Sequence, residues 1–204
     1  MPRVSAEYLA ARREEILDAA ARRFAADGFH RTSMQDIIDE AGLSPGAVYR
    51  YFRAKDELIE SISVEAMGHI ESVVSGGIDG EEPLADLIAG LPAAFDALGR
   101  TDERARLAVQ TWGEALRNPP LAEALAARLA NVRSALRDRI ATAQRAGEVD
   151  PAADPDDAAK VLLGLLQGYL LQKAWDPDLD PADFGRAARV LIAPRQAMPG
   201  HSID

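Results

Sequence analysis

Within TSMQDIIDEAGLSPGAVYRYFRAKDEL, residues 32–58, the side chains able to meet a polyanion are concentrated. They are the hydroxyls of Thr32, Ser33 and Ser44, the phenols of Tyr49 and Tyr51, and the cations Arg50, Arg53 and Lys55. Such groups bind the phosphate oxygens and base edges of duplex DNA. A hydrolytic or redox site would instead need a convergent acid–base pair, a thiol or a metal cluster. The chain has no cysteine and no HExxH, GKS or GKT pattern, and its histidines, His30, His69 and His201, stand apart. No catalytic residue, cofactor or metal is expected.

A short helix must present these groups. At about 100° per residue, Ala47, Val48, Tyr51 and Phe52 fall on one arc and Pro45, Gly46, Tyr49, Arg50 and Arg53 on the other. Between Ser44 and a stop near Arg53 there is room for only about two turns, too few for a helix to persist alone. The first arc must therefore dock on neighbours, leaving the second to face a partner. Helix one, Ala6 to Asp27, supplies a stripe of Leu9, Ile16, Leu17, Ala20 and Phe24 and ends at Gly28. Helix two opens at the capping pattern Ser33-x-x-Asp36 and buries Met34, Ile37, Ile38 and Ala41. After the turn Ala41-Gly42-Leu43, Ser44 caps helix three and Pro45 takes its first position. A helix, a tight glycine turn and a second short helix make a helix-turn-helix. A small αα corner with a solvated basic face is the other reading of the same pattern.

The formal net charge of −10 looks hostile to nucleic acid, but residues 1–60 hold nine Arg/Lys against eleven Asp/Glu, a balance of −2, so most of the acidity lies beyond them. The face that carries the cations decides the matter, not the sum. About half the chain is apolar, ample for a core. The N-terminus is charged and the longest apolar run, VLLGLL, is too short to span a bilayer, so a soluble, cytoplasmic protein is expected.

Turn and cap signals divide the 204 residues into about nine helical segments without an alternating strand pattern: an all-α fold. A fourth helix is expected over Lys55–Val74, followed by the linker-like SGGIDGEEP. Beyond it, Thr101-Asp102, Asn118-Pro119, Asp154-Pro155 and Asp180-Pro181 read as helix caps rather than calcium ligands. The segment Pro155–Ala174 is apolar nearly all round and must be covered on every side.

The run GFHRTSMQDIIDEAGLSPGAVYRYFRAKDELI, with the preceding ILDAAARRFAADG, resembles the DNA-binding domain of the TetR family of transcriptional regulators. The resemblance is specific over about the first 60 residues and architectural afterwards. It implies a DNA-binding unit over 1–60 and a helical effector-binding and dimerisation unit over 61–204. It also implies a groove-facing surface of Pro45, Gly46, Ala47, Tyr49 and Arg50, beside the Ser44 cap, with phosphate contacts from Thr32, Ser33, Tyr49, Tyr51 and Lys55. Ala54 departs from the pattern, standing where the family usually has a capping hydroxyl.

On this reading the protein is a homodimer that binds a pseudo-palindromic duplex operator, by default as a repressor. The helices from Pro155 and Pro181 would form half of an intersubunit bundle through Val161, Gly164, Leu165, Gly168, Phe184, Ala188 and Leu191. An apolar or amphipathic small-molecule effector is expected among Met67, Ile70, Phe95, Trp112, Leu166 and Tyr169, with Gln110, Glu114 and Gln167 as the polar minority. The competing functions are a helical adaptor that binds protein through the arc around Tyr49, and a helical enzyme.

Overall fold

The computed structural model describes residues 5–78, 82–99 and 101–192; residues 79–81 of the linker-like stretch and His201 lie outside it. The described residues form nine α-helices and no strand: α1 (Ala6–Asp27), α2 (Met34–Ala41), α3 (Pro45–Tyr49), α4 (Lys55–Ile78), α5 (Leu84–Ala97), α6 (Thr101–Ala115), α7 (Pro119–Arg145), α8 (Pro155–Trp175) and α9 (Pro181–Ile192). None of these helices is long and apolar enough to cross a membrane.

Local chemistry accounts for most boundaries. Ser33 and Asp36 exchange side-chain and backbone bonds in a complete capping box, and Gly42 closes α2 at φ 64°, a left-handed turn that costs glycine nothing. Ser44 accepts from the Ala47 N–H while Pro45 needs no partner for an absent donor. Asn118 and Asp154 cap α7 and α8 through their side chains, the caps anticipated at those positions. Two boundaries differ from expectation. Helix α3 stops at Tyr49, with Arg50 as its C-cap, and α4 continues past Val74 to Ile78.

Two apolar cores form. The N-terminal one joins α1 to α4 through Ile16, Phe24, Ile37, Val48, Phe52, Leu58 and Ile62, and takes in Leu107 from α6. The other gathers Met67, Ile70, Phe95, Ala105, Ala108, Val132, Leu166, Tyr169 and their neighbours from α4 to α8. Helix α6 belongs to both.

Helix α9 corrects an expectation. It packs on α5 of its own chain, so closely that a Cβ on Gly185 would lie 2.2 Å from the Ala89 carbonyl oxygen. Ala188 is buried, and Phe184 stacks on Tyr169 at 5.1 Å between ring centroids. Both side chains therefore pack within the protomer, Ala188 fully and Phe184 in part. Helix α8, apolar nearly all round, is covered on one side alone: Val161 is 71% exposed and Trp175 is 73% exposed.

Candidate nucleic-acid interface

Helix α3 persists because Val48 and Phe52 are almost fully buried against α1 and α2. The Arg13 guanidinium of α1 lies 5.1 Å over the Phe52 ring and donates to Ser61 Oγ at 3.1 Å, holding together α1, the segment after α3, and α4. Arg22 pairs with Glu40 at 2.7 Å across α1 and α2. What remains outward is the expected arc: Ser44, Pro45, Gly46, Tyr49 and Arg50 are exposed, and Ala47 and Tyr51 are half-buried at its margin.

Ion pairing sorts the cations. Arg12, Arg13, Arg22 and Arg23 on α1 each meet a carboxylate within 4 Å. The exposed guanidinium groups of Arg31, Arg50 and Arg53 have no ion-pair partner among the described residues. Within the N-terminal unit the positive charge available to an anion therefore lies around α2 and α3, although the chain as a whole is acidic. At the start of α2, Asp36 is held below the usual carboxylate range by the Ser33 hydroxyl and then the Ser33 N–H. The Ser33 side chain remains exposed.

Two expected phosphate ligands have other duties. The Thr32 hydroxyl is buried and donates its one proton to the Gly28 carbonyl at 2.9 Å, with the Arg23 carbonyl 3.4 Å away, so the proton is spent within the fold. Lys55 Nζ donates to the carbonyls of Thr32 at 3.0 Å and His30 at 3.4 Å, pinning the turn ahead of α2. An ammonium has three donors, which leaves one for a phosphate. Ahead of α4, where Ala54 supplies no capping hydroxyl, the Glu57 carboxylate accepts from the Arg53 N–H at 2.9 Å.

The expected effector residues divide into two groups, with Gln167, half-buried on α8, in neither. Met67, Ile70, Phe95, Leu166 and Tyr169 share the larger core, with Trp112 packed half-buried against it. Gln110 and Glu114 point the other way, into the N-terminal unit, where Gln110 bonds to the Phe24 and Phe29 backbone and Glu114 meets His30 at 3.2 Å. Helical periodicity places them on α6 but does not say which neighbour each face meets. Within the core, the Tyr169 hydroxyl and the Trp112 Nε1 are buried without a hydrogen-bond partner among the described residues. Burial above all pushes the Tyr169 pKa up to about 12, so it is a neutral donor at physiological pH.

Residues 16–62 match the family model for bacterial regulatory proteins of the tetR family, and residues 83–193 match that for the C-terminal part of BetI-type transcriptional repressors. An HTH-type transcriptional repressor of Mycobacterium tuberculosis is 33% identical over 85% of this chain and 87% of its own. The solved structure of Salmonella enterica GusR is 28% identical, covers 94% of this chain and 97% of its own, and superposes with a TM-score of 0.72. Bacillus subtilis FadR, solved in complex with stearoyl-CoA, shares the fold at 21% identity and a TM-score of 0.71, covering 88% of this chain and 97% of its own.

Proposed function

The chain belongs to the tetR family of bacterial regulatory proteins, DNA-binding transcriptional regulators and not enzymes, and from that premise we propose that it is a cytoplasmic repressor released from a pseudo-palindromic operator by a small effector. The observation that carries the operator reading is the outward arc of α3 beside the unpaired Arg31, Arg50 and Arg53. Residues 1–60 carry DNA binding, with Gly46, Tyr49 and Arg50 at base edges and Ser33, Tyr51 and Lys55 at phosphates. Residues 61–204 carry dimerisation and the effector. Two copies of α3 then meet successive major grooves about 34–36 Å apart, which requires an inverted repeat.

The effector is apolar or amphipathic and carries an acceptor oxygen. This reading rests on the two unpartnered donors, Tyr169 Oη and Trp112 Nε1, in an otherwise apolar core. Each buried donor left unmatched costs about 1–3 kcal/mol, which a ligand acceptor would recover. The stearoyl-CoA complex of FadR fits a fold able to open such a core around a ligand.

Selection of bound sequences from random duplex DNA tests the first part. An inverted repeat whose affinity falls steeply with salt is expected; equal binding to all duplexes would reject it. For the second, lipophilic oxygen-bearing compounds that quench Trp112 fluorescence must also lower operator affinity, and DNA must lower theirs by the same factor.

A further inference from the structure

We infer that Gln110 is the positioning residue through which α6 sets the attitude of the DNA-reading helices. The inference rests on the proposed contact of α3 with DNA. Gln110 uses both ends of one amide on the N-terminal unit, far away in sequence: Nε2 donates to the Phe24 carbonyl at 2.9 Å and Oε1 accepts from the Phe29 N–H at 3.0 Å. Only this orientation of the amide satisfies both partners. The two backbone groups flank Gly28, which ends α1 at φ 88°, and its N–H closes the last turn on the same Phe24 carbonyl. The amide therefore grips the point where the chain leaves α1 for α2.

The gripped turn is held from its far side as well. Lys55 at the start of α4 bonds to the carbonyls of His30 and Thr32, and Ser33 follows as the cap of α2. One turn further along α6, Glu114 Oε2 and the Arg117 guanidinium lie 3.2 and 3.3 Å from His30 Nε2. Residues 107, 110, 114 and 117 thus form one stripe along α6 and beyond its end that meets the N-terminal unit, while Ala105, Ala108, Trp112 and Ala115 pack into the larger core. The buried Thr111 hydroxyl donates to Ser63 at 3.0 Å and fixes α6 against α4. A hydrogen bond is lost within about half an ångström beyond its normal range, so a small slide of α6 opens both bonds together. The clamp is in effect two-state.

Gln110→Met keeps the length of the side chain and removes both bonds; Gln110→Glu keeps the acceptor for Phe29 and loses the donor to Phe24. Three readouts are needed: hydrogen exchange at the Phe29 amide, affinity for the operator selected from random DNA, and the 19F resonance of Trp112 in 5-fluorotryptophan-labelled protein, assigned with Trp175→Phe. In the parent protein the Phe29 amide is protected and the Trp112 resonance shifts on operator binding. Gln110→Met should speed exchange at Phe29 by roughly tenfold or more, weaken operator binding about five- to tenfold and abolish the Trp112 shift, while Gln110→Glu retains protection at Phe29. Parent-like affinity and an unchanged Trp112 shift in Gln110→Met would overturn the inference. Weakened binding with an intact shift would also overturn it, since the bond would then be local scaffolding. If the parent protein selects no DNA, the operator reading has failed; an unprotected Phe29 amide in the parent would separately show that the clamp does not form.

Discussion

Arg50 and Lys55 are both cations beside α3, and their surroundings give them different tasks. Arg50 ends the helix with an unpaired, exposed guanidinium, so Arg50→Ala should relax preference at one base position by about 1–3 kcal/mol and leave stability unchanged. Lys55 already holds two backbone carbonyls. Lys55→Ala should therefore cost about 1–2 kcal/mol of stability and, through its remaining donor, reduce the salt slope of binding to every duplex by about 1. Anisotropy titrations across a salt series, paired with urea unfolding, separate the two effects. His69 offers a titration of another kind. It lines a cleft of about 60 Å³ between α1, α4 and α6 together with Asp18, Glu65, Glu103 and Arg104. Burial first, then Arg104, lower its pKa from the ordinary 6.5, against the pull of Glu65. The unfolded chain then binds the proton more readily than the folded one. Stability is complete above the unfolded value and is lost as pH falls through the lowered one. Urea midpoints should drop as pH falls below the ordinary histidine value of 6.5, and drop less in His69→Gln.

At the scale of elements, glycines with similar helical surroundings carry opposite expectations. Gly185→Ala would drive a Cβ into the Ala89 carbonyl and should destabilise the α5–α9 pair by about 2–4 kcal/mol in denaturant unfolding. Gly164 has nothing within 4 Å of a built Cβ, so Gly164→Ala should stabilise an isolated protomer by up to about 1 kcal/mol; a loss in the assembled protein would mean that a partner's backbone rests there. The same contrast explains how far the sequence could be read. The Ser33–Asp36 box, the Gly42 turn and the Ser44-Pro45 start are decided within a few residues, and each was legible as a pattern. The need for glycine at 185 arises from a backbone almost a hundred positions away, which no periodicity records. Thr32 shows the limit within the site itself: its type and position suit a phosphate, yet the turn closed by Gly28 and Lys55 draws its hydroxyl inward. Trp175 and Val190 are exposed beside the expected dimer residues; periodicity does not single them out because their helices carry apolar residues on several faces.

For the whole molecule, the exposed apolar surface argues for the way two copies meet. Val161, Gly164 and Trp175 on α8 and Val190 and Leu191 on α9 are exposed, with Leu165 and Gly168 half-buried beside them, a concentration of apolar surface that a monomer rarely leaves in water. With Phe184 and Ala188 turned inward, the outward sides of α8 and α9 remain available for a two-fold interface of the kind this family's dimers require. Leu191 is 83% exposed in the protomer, so Leu191→Glu removes little from its own fold, but in a symmetric interface it buries two carboxylates, one from each copy. Sedimentation should find a folded monomer with the parent far-UV spectrum. Because the second half-site is bound as an intramolecular event, loss of the dimer should weaken operator binding by about 10²- to 10⁴-fold while leaving affinity for a single half-site unchanged. A dimeric Leu191→Glu variant with parent operator affinity would move the interface off this face, and the half-site spacing would then have to be set by another pair of helices.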